Sequence, residues 1–336
     1  MVRFVQNPYS LAWALERPHR VALAGLGGIA QGAHLPAYAA FGIDVVAGAD
    51  PDPSVREAVA KAYDFPLFES AAEMLAAVGP EVVDVTVKPG PAKNAVIEEA
   101  LAAGCHVLAQ KPFTYSLADA VALVEAAEAA GRLLAVNVQA RYAPAFRAAQ
   151  EVLAAGRIGR PLSAFVTSTF PLADDMTVDM GIHEMDLLRF WLDADPQRVR
   201  ASRTALRDGR EHTVIEADFG GMVGLIVEEN HAPVVRPWSF RIHGEDGTIE
   251  GREQFGTVEP AEVVVRRAGE EPETVELGYA YVPDAFAHVM ASLLHAVETG
   301  RPAPTAARAH LPSLAGVLAA QRAAQTGRTE TVEATK

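Results

Sequence analysis

Asp179 and His183, four residues apart, suggest proton-transfer chemistry in the second half of the chain. They lie in the segment VDMGIHEMDLLRFWL, whose apolar residues recur with helical spacing. On one helix this spacing puts both side chains on the same face, where the carboxylate can orient the imidazole and favour its protonated form. Asp186 shares roughly that face. The pair could act as a general acid and base, with a solvated helix face as the alternative. The segment has no His-x-x-x-His pair and no cysteine partner, so no metal site is predicted.

A second candidate, Lys111, follows the predicted strand CHVLA. In open α/β sheets ligands bind beyond the carboxyl ends of the strands, and a strand end holds a side chain rigidly. An ammonium there could donate a hydrogen bond to a substrate hydroxyl, stabilise a developing alkoxide or polarise a carbonyl. The alternative is a solvated surface lysine.

The segment GLGGIA follows the first predicted strand and has the GxGxxA pattern of a dinucleotide-binding loop. The first glycine permits a tight turn, the second lets the backbone approach a pyrophosphate, and the alanine lets helix and strand pack closely. The phosphates would lie at the N-terminus of the next helix, where free N–H groups favour negative charge. A purely structural turn is the alternative. The predicted cofactor-binding residues of this loop are Gly25, Gly27, Gly28, Ile29 and Ala30.

Asp50 ends the second predicted strand, twenty residues after Ala30. A carboxylate there can accept hydrogen bonds from both ribose hydroxyls of an adenosine, which favours NAD over NADP. Arg56 on the next helix could reach a 2′-phosphate, so NADP stays open. Asp50 could also merely begin the turn PDPS as a local cap.

Two kinds of sheet are needed to position these side chains. Up to residue 138, short β-branched runs alternate with Ala-rich segments of helical period, the pattern of a parallel sheet covered on both faces. The strands predicted there are 20–25, 44–49, 82–87, 105–109 and 133–138, with a short piece near 65–68, and the helices include 93–103 and 117–130. After residue 140 a mostly antiparallel sheet is predicted, with strands in LSAFVTSTF, HTVIEADF, MVGLIVEEN and SFRIHGEDGTIEG. Helices are predicted near 180–193, 284–299 and 306–326.

The predicted fold class is therefore α/β plus α+β. Residues 1–138 are expected to form an N-terminal Rossmann domain, a doubly wound parallel sheet that binds NAD(P). Residues 139–336 are expected to form a C-terminal α/β domain for substrate binding and oligomerisation, built on a large, mostly antiparallel sheet. The helix near 306–326 is expected to pack back on the first domain.

Composition excludes several classes of partner. A net charge of −14 opposes binding to nucleic acid or to anionic membranes, since either would need a clustered basic face. No apolar stretch approaches the ~20 residues that span a bilayer. The single cysteine, Cys105, fits a small buried residue in a reducing compartment, so a cytoplasmic location is expected. The first twenty residues lack the features of an export signal and are interpreted as a short leader packed on the first domain.

Five features carry a resemblance that covers nearly the full chain: GLGGIA, Asp50, ALAAGCHVLAQKPFTYSLADA, VNVQARYAPAFRAA and VDMGIHEMDLLRFWL. Together they resemble the family named for glucose-fructose oxidoreductase, inositol 2-dehydrogenase and the rhizopine-catabolism protein MocA. The resemblance implies NAD or NADP as cofactor, and mostly sugar, inositol or related polyol substrates. It also implies that Lys111, Asp179 and His183 are catalytic and contact the substrate. A homodimer or homotetramer is implied through the C-terminal sheet, whose exposed face would offer a broad apolar surface.

The chain departs from the family pattern at two strand ends. The usual Glu-Lys-Pro signature reads QKP, so Gln110 replaces the acidic residue and Lys111 is kept, both expected beside the cofactor. Loss of the carboxylate removes an ion-pair partner and would leave the lysine easier to deprotonate. Lys88 and Pro89 stand where the family commonly has Thr-Pro, and this stretch is expected to flank the nicotinamide ribose.

Three further side chains are assigned by position. Arg141 follows the strand LLAVNV and is expected at the mouth of the same cleft, where it could bind substrate hydroxyls or a carboxylate, or make an interdomain salt bridge. His34 and His231 are interpreted as buried structural histidines.

The leading functional interpretation is an NAD(P)-dependent dehydrogenase acting on CH-OH groups, which oxidises a secondary alcohol of a sugar, inositol or related polyol to a ketone. One alternative is nicotinamide-assisted elimination or hydrolysis of a sugar derivative, in which a transient ketone acidifies a neighbouring C–H. Another is a dinucleotide-binding regulator without turnover, although such a sensor would not need Lys111 together with Asp179 and His183.

Overall fold

The computed structural model describes residues 15–169, 176–206, 211–230, 234, 236–254 and 260–335. They form two compact units. The parallel-sheet unit comprises the described residues up to Gln139 together with Val282–Leu311, and the antiparallel-sheet unit comprises those of Ala140–Tyr281 and those from Pro312 onward. The first fourteen residues of the predicted leader and His231 lie outside the described residues.

The parallel-sheet unit contains a six-stranded sheet in which every neighbouring pair is parallel. Its strands are β1 (Val21–Ala24), β2 (Val45–Ala49), β3 (Leu67–Phe68), β4 (Val82–Val85), β5 (His106–Gln110) and β6 (Leu134–Asn137). The order β3-β2-β1-β4-β5-β6 reverses direction between β1 and β4, where open α/β sheets bind ligands. Strands β1 and β4 are buried along their whole length, as expected for a covered parallel sheet. The predicted Rossmann fold is confirmed.

Helices connect these strands, and local capping explains where they begin and end. They are α1 (Leu35–Phe41), α2 (Pro53–Ala60), α3 (Ala71–Val78), α4 (Pro91–Ala102) and α5 (Leu117–Ala129). The hydroxyl of Ser116 accepts the Asp119 N–H at 3.2 Å, which caps α5 at the position expected from the sequence. Gly131 follows the helix with φ of 63°, a conformation that glycine adopts without strain.

The segment Val282–Leu311 belongs to the parallel-sheet unit, whereas the predicted second domain began at residue 139 and only the helix near 306–326 was expected to pack back on the first. It contains α9 (Asp284–Thr299) and the start of α10 (Ala307–Thr326). The Val136 N–H of β6 donates to the Thr305 carbonyl oxygen at 2.9 Å, and the Phe286 ring lies 5.1 Å from the His34 ring. The chain returns to this unit because these residues extend its core beside β6.

The described end of the predicted leader also lies on the parallel-sheet unit. His19 is buried between Glu81 and Glu298, with each ring nitrogen 2.9 Å from a carboxylate oxygen. Arg17 pairs with Glu81 as well. These contacts fix residues 16–19 against α9.

The antiparallel-sheet unit contains a nine-stranded sheet in which only β7 and β10 pair in parallel. The strands are β7 (Pro161–Ser168), β8 (Arg198–Ala205), β9 (Glu211–Asp218), β10 (Val223–Glu229), β11 (Trp238–Gly244), β12 (Gly247–Glu253), β13 (Glu262–Arg267), β14 (Glu273–Thr274) and β15 (Glu330–Thr331). Their order is β14-β13-β12-β11-β7-β10-β9-β8-β15. Buried and more exposed residues alternate along β8 and β11, so one face is covered and the other is open. The predicted large, mostly antiparallel sheet is confirmed.

The open face of this sheet, which was expected to be broadly apolar, carries ion pairs as well as apolar side chains. Arg241 and Arg266 both pair with Glu250, at 3.0 and 2.9 Å, and Arg252 pairs with Glu262 at 3.2 Å. Phe165 lines one surface pocket with Arg241 and Glu250, and Val264 lines another with Glu262 and Arg266, so apolar and charged side chains share this face.

Helices α6 (Pro144–Ala154), α7 (Met176–Asp179) and α8 (Gly181–Leu192) complete the unit. Phe146 of α6 lies 5.7 Å from the Trp191 ring of α8 and 5.6 and 5.4 Å from the Trp238 and Phe240 rings of β11. The indole N–H of Trp191 also donates to the Phe146 carbonyl oxygen at 3.2 Å. This aromatic cluster packs α6 and α8 against the covered face, and α6 is a helix that the sequence analysis did not predict.

Candidate active site

The glycine-rich loop has the backbone geometry that a dinucleotide requires. Gly25 has φ of 86°, and a Cβ at this position would lie 3.0 Å from the backbone nitrogen of Val87. At Gly27 and Gly28 an added Cβ would meet no atom within 4 Å, so open space lies beside the backbone. Ala30 is fully buried, as its predicted packing role requires. A phosphate can therefore approach the loop without meeting a side chain.

The helix behind this loop begins with a π-helical turn, Ala30–His34, and continues as α1. The Gln31 N–H donates to the carbonyl oxygen of Gly27 at 3.1 Å, so helical hydrogen bonding starts directly after the glycines. Ile29 is 39% exposed. The N–H groups ahead of the first helical hydrogen bond can bind an anion.

A cavity of about 550 Å³ opens at the carboxyl ends of β1, β2 and β4. Of the predicted cofactor residues, Gly25, Gly27, Asp50 and Lys88 line it. The other predicted cofactor residues, Gly28, Ile29, Ala30, Pro89, Gln110 and Lys111, do not line it. The volume falls within the ~300 to 1,000 Å³ of small-molecule pockets. The open glycine backbone together with a carboxylate fits a dinucleotide.

Asp50 takes part in the local turn and also faces the cavity. Its carboxylate accepts the Leu26 N–H at 2.7 Å through one oxygen and the Asp52 N–H at 3.0 Å through the other. Each oxygen of a carboxylate can accept a further hydrogen bond, so both could still bind ribose hydroxyls. Arg56 donates to the main-chain oxygen of Asp50 at 2.6 Å, which puts a guanidinium beside it. The local-cap and cofactor roles of Asp50 are therefore compatible.

Lys111 directly follows β5, the strand next to β4 in the sheet. The Nζ of Lys93, in the first turn of α4, donates to the carbonyl oxygens of Gln110 and Pro112, the latter at 2.7 Å. One buried ammonium thus binds the backbone on both sides of Lys111.

A buried polar network holds the side chain of Gln110. Asn137 Nδ2 on β6 donates to Gln110 Oε1 at 2.7 Å and lies 3.2 Å from His34 Nε2. His34 Nδ1 lies 2.6 Å from Asp84 Oδ2, which also accepts the Tyr38 hydroxyl at 2.6 Å. All five residues are buried. The network confirms that His34 is buried, and it fixes which end of the Gln110 amide is the acceptor.

Burial changes the protonation of two groups around this network. It lowers the pKa of Lys93 to about 7, since a buried ammonium loses its hydration and the Lys111 charge repels it, against attraction by Asp84. Burial raises the pKa of Tyr38 well above its usual value, and the charge of Asp84 and the hydrogen bond to it add to the effect. Tyr38 therefore stays a neutral donor.

His183 is buried in the first turn of α8, and its ring lies 5.9 Å from the Trp238 ring. Asp179 ends α7, so the predicted single helix is interrupted between the two residues. Met180, with φ of −101°, separates the two helices, and Gly181 suits the next position because a Cβ there would lie 3.3 Å from a carboxylate oxygen of Glu228. The His183 N–H still donates to the Met180 carbonyl at 2.9 Å, so the right-handed winding continues.

Arg141 binds a carboxylate of its own unit. Its guanidinium donates two hydrogen bonds to Asp186, one of them 2.8 Å long, and lies 5.2 Å from the centre of the Phe190 ring. The Ser313 hydroxyl donates to the same carboxylate at 3.0 Å. The salt bridge considered for Arg141 therefore exists, but it lies within the antiparallel-sheet unit and not between domains. Asp186, expected to share a face with His183, is the partner of Arg141.

The structure distributes the predicted catalytic residues over both units. Lys111 belongs to the parallel-sheet unit, and Asp179 and His183 belong to the antiparallel-sheet unit. Two polar residues near the Lys111 loop were missed. Asp84 interrupts the apolar strand VVDVTV, which is a signal of a buried functional group, whereas nothing in PGPAKNAV marks Lys93 as buried.

The part of the chain that the structure describes contains neither a candidate metal site nor a candidate membrane span. No group of three or more His, Cys, Asp or Glu residues there could hold a metal ion. None of the described helices is long and apolar enough to cross a bilayer. Cys105 is buried, and its thiol contacts the Pro80 carbonyl oxygen at 3.2 Å.

The parallel sheet, the glycine loop and the cavity define an oxidoreductase with an NAD-binding Rossmann domain. Residues 19–138 match the family model described as "Oxidoreductase family, NAD-binding Rossmann fold". Residues 146–250 match the model described as "GFO/IDH/MocA C-terminal domain". The chain belongs to this Gfo/Idh/MocA family, and NAD is the cofactor that its Rossmann domain binds.

Individual relatives support the same assignment. The chain is 32% identical to a 1,5-anhydro-D-fructose reductase of Ensifer adhaerens over 254 residues, which cover 70% of this chain and 74% of that protein. It is 32% identical to an inositol 2-dehydrogenase of Acidothermus cellulolyticus over 198 residues, 56% of this chain and 58% of that protein. A crystal structure of an Agrobacterium radiobacter oxidoreductase in complex with NAD+, L-tartaric acid and magnesium has the same fold, with a TM-score of 0.84 at 23% identity, over 94% of this chain and 99% of that one.

Proposed function

We propose that this protein catalyses the reversible oxidation of a secondary alcohol on a sugar, inositol or related polyol to a ketone. The observation that carries the proposal is the backbone of Lys111, which is fixed at the carboxyl end of β5, beside the strand whose end lines the cofactor cavity. A rigidly held ammonium at that edge suits the stabilisation of an alkoxide. The substrates named for the two curated relatives, an anhydroketose and an inositol, belong to this chemical class.

Each candidate residue has a separate role in this proposal. The Lys111 ammonium donates a hydrogen bond to the substrate oxygen and stabilises its negative charge as the hydroxyl proton leaves. The His183 imidazole takes that proton, and Asp179 favours the imidazolium that results. NAD bound at the glycine loop and Asp50 would supply the hydride acceptor, C4 of the nicotinamide. In reduction, His183 returns the proton to the carbonyl oxygen. Arg141 binds substrate hydroxyls through donors not taken by Asp186.

A substrate screen and a pair of lysine variants would test the proposal. NADH formation is measured with inositols, aldoses, sugar acids and sugar nucleotides, and NADH consumption with 1,5-anhydro-D-fructose. Lys111→Met is expected to lower kcat by ~10² or more, the range for loss of a positioned proton-transfer or charge-stabilising group, and to leave the Kd for NAD within a few-fold. Lys61→Met, at an exposed lysine that ends α2, is the matched control.

Three results would contradict this function. Nearly normal turnover by Lys111→Met would show that Lys111 is not catalytic. Product formation without net NADH points to elimination or hydrolysis, and NAD binding without turnover of any polyol points to a regulator.

NAD preference, assembly and location complete the proposal. Asp50 at the cavity favours NAD, and the guanidinium of Arg56 beside it makes NADP the comparison to run. A homodimer or homotetramer through the open face of the nine-stranded sheet would use the ion pairs around Glu250 as well as apolar contact. Size-exclusion chromatography with light scattering measures the mass of the assembly in solution. The buried thiol of Cys105 suits the reducing cytoplasm.

A further inference from the structure

Lys93 occupies a position that is unfavourable for a lysine. Its side chain is fully buried in the first turn of α4. Burial removes the hydration of an ammonium, and the positive end of a helix dipole repels a cation in the first turn. An apolar side chain of similar length would avoid both costs, so folding alone does not explain a lysine at this place.

The partners of Lys93 explain the position. Its Nζ donates to the carbonyl oxygens of Gln110 and Pro112, and these two residues flank Lys111. Its neighbouring charges are Asp84 on β4, which attracts it, and Lys111, which repels it. The ammonium therefore closes a bridge from α4 to the loop after β5.

A second contact holds the same loop from the other side. Asn137 on β6 donates to the Gln110 side chain at 2.7 Å. Asn137 fixes the residue before Lys111 by its side chain, and Lys93 fixes the backbone before and after it. Side chains from α4 and β6 thus restrain the loop, and of these two side chains Lys93 is the one that binds the backbone on both sides of Lys111.

We propose that Lys93 is a positioning residue for Lys111: by binding the carbonyl oxygens on either side of it, the Lys93 ammonium fixes the backbone from which the reactive side chain extends. This inference rests on the proposed function of Lys111. Displacement of a reacting group by ~1 Å can lower a rate about 10²-fold, so a bridge at this place has a measurable catalytic consequence.

The test uses Lys93→Met in the full-length protein, with Lys61→Met as the matched control and Lys93→Gln as a second variant in case the methionine variant does not fold. Lys93→Met removes the desolvation cost of a buried charge but takes a donor from the Gln110 and Pro112 carbonyl oxygens, so the melting temperature of each variant is measured first to establish that it folds. We expect kcat to fall by ~10- to 100-fold. KM and the Kd for NAD should change by less than about threefold, since the cavity residues are untouched.

A double-mutant cycle shows whether Lys93 acts through Lys111. Lys93→Met combined with Lys111→Met should be no slower than Lys111→Met alone, because the bridge has nothing left to position. Amide hydrogen exchange of peptides that cover Lys111 supplies a readout without substrate. It should speed up at least about tenfold in Lys93→Met and stay unchanged in Lys61→Met.

The outcomes separate the two proposals. If Lys111→Met is inactive while Lys93→Met keeps kcat within twofold, or leaves amide exchange unchanged, the positioning role is overturned and the proposed function stands. A double variant clearly slower than Lys111→Met also overturns the positioning role. If Lys111→Met keeps its activity, the proposed function fails, and the role of Lys93 fails with it.

Discussion

Glu253 should make the stability of the antiparallel-sheet unit depend on pH. This glutamate ends β12, is buried, and accepts the Ala145 N–H of α6 at 2.7 Å and the Gln254 N–H at 2.9 Å. Burial raises its pKa from 4.5 to about 8, with both backbone donors acting against the rise. The informative change is Glu253→Gln, which keeps the shape and removes the ionisation.

The sign and size of the effect follow from the raised pKa. The folded state holds the proton more tightly than the unfolded chain, so its stabilising contribution is complete below pH 4.5 and is lost as pH rises towards 8. Between these limits each pH unit changes the free energy of unfolding by about 1.4 kcal/mol. From pH 5.5 to 7.5, the wild type should therefore lose about 2.5 kcal/mol relative to Glu253→Gln.

The assay is urea unfolding of both proteins at pH 5.5, 6.5 and 7.5, followed by tryptophan fluorescence. Trp191 and Trp238 are buried in the aromatic cluster with Phe146 of α6 and report on the same unit. The difference between the two free energies cancels all other titrating groups. If that difference stays constant across the three pH values, Glu253 is ionised in the folded protein and the reasoning fails.

Three further predictions concern the cofactor cavity and the Lys111 loop. Gly25→Ala should cost about 1–2 kcal/mol of stability because of the left-handed φ at this position. Gly27→Ala should keep the melting temperature of the wild type and weaken NAD binding, since its Cβ enters the open space beside the loop. Equal melting temperatures for the Gly25→Ala and Gly27→Ala variants would contradict this. Asp50→Asn should weaken NAD binding about tenfold because a charged hydrogen-bond acceptor is lost, and it should raise the affinity for NADP relative to NAD. Titration calorimetry measures both affinities, and an unchanged ratio would argue that Asp50 does not bind the ribose. Gln110→Glu should move the basic limb of the pH-rate profile to higher pH, because a carboxylate favours the protonated lysine, and superimposable profiles reject this.

The regular parts of the fold were predictable because each has a local signal. Alternating runs and glycine punctuation located the strands of the Rossmann sheet, and Ser116 with Gly131 marked the bounds of α5. Strand β8 was missed because the exposed Arg198 and Arg200 separate its few buried residues, Val199 and Ala201. The return of Val282–Leu311 to the parallel-sheet unit depends on contacts with distant residues such as Val136, which no local pattern encodes.

The candidate site was predictable where it follows strand ends. Gly25, Gly27, Asp50 and Lys88 meet at one cavity because the carboxyl ends of parallel strands lie at one edge of the sheet. Partner choice was not predictable. The pairing of Arg141 with Asp186 and the burial of Lys93 depend on tertiary packing, because a lysine near a helix start is ordinarily solvated.

Deuterium transfer from a polyol labelled at its carbinol carbon, followed by mass spectrometry of the nicotinamide, shows whether this protein moves a hydride from the polyol to the cofactor. We expect one deuterium at C4 of the reduced cofactor for each ketone released, with the signal lost in Lys111→Met and kept in Lys61→Met. Ketone formation with unlabelled cofactor, or equal labelling by wild type and Lys111→Met, would contradict it.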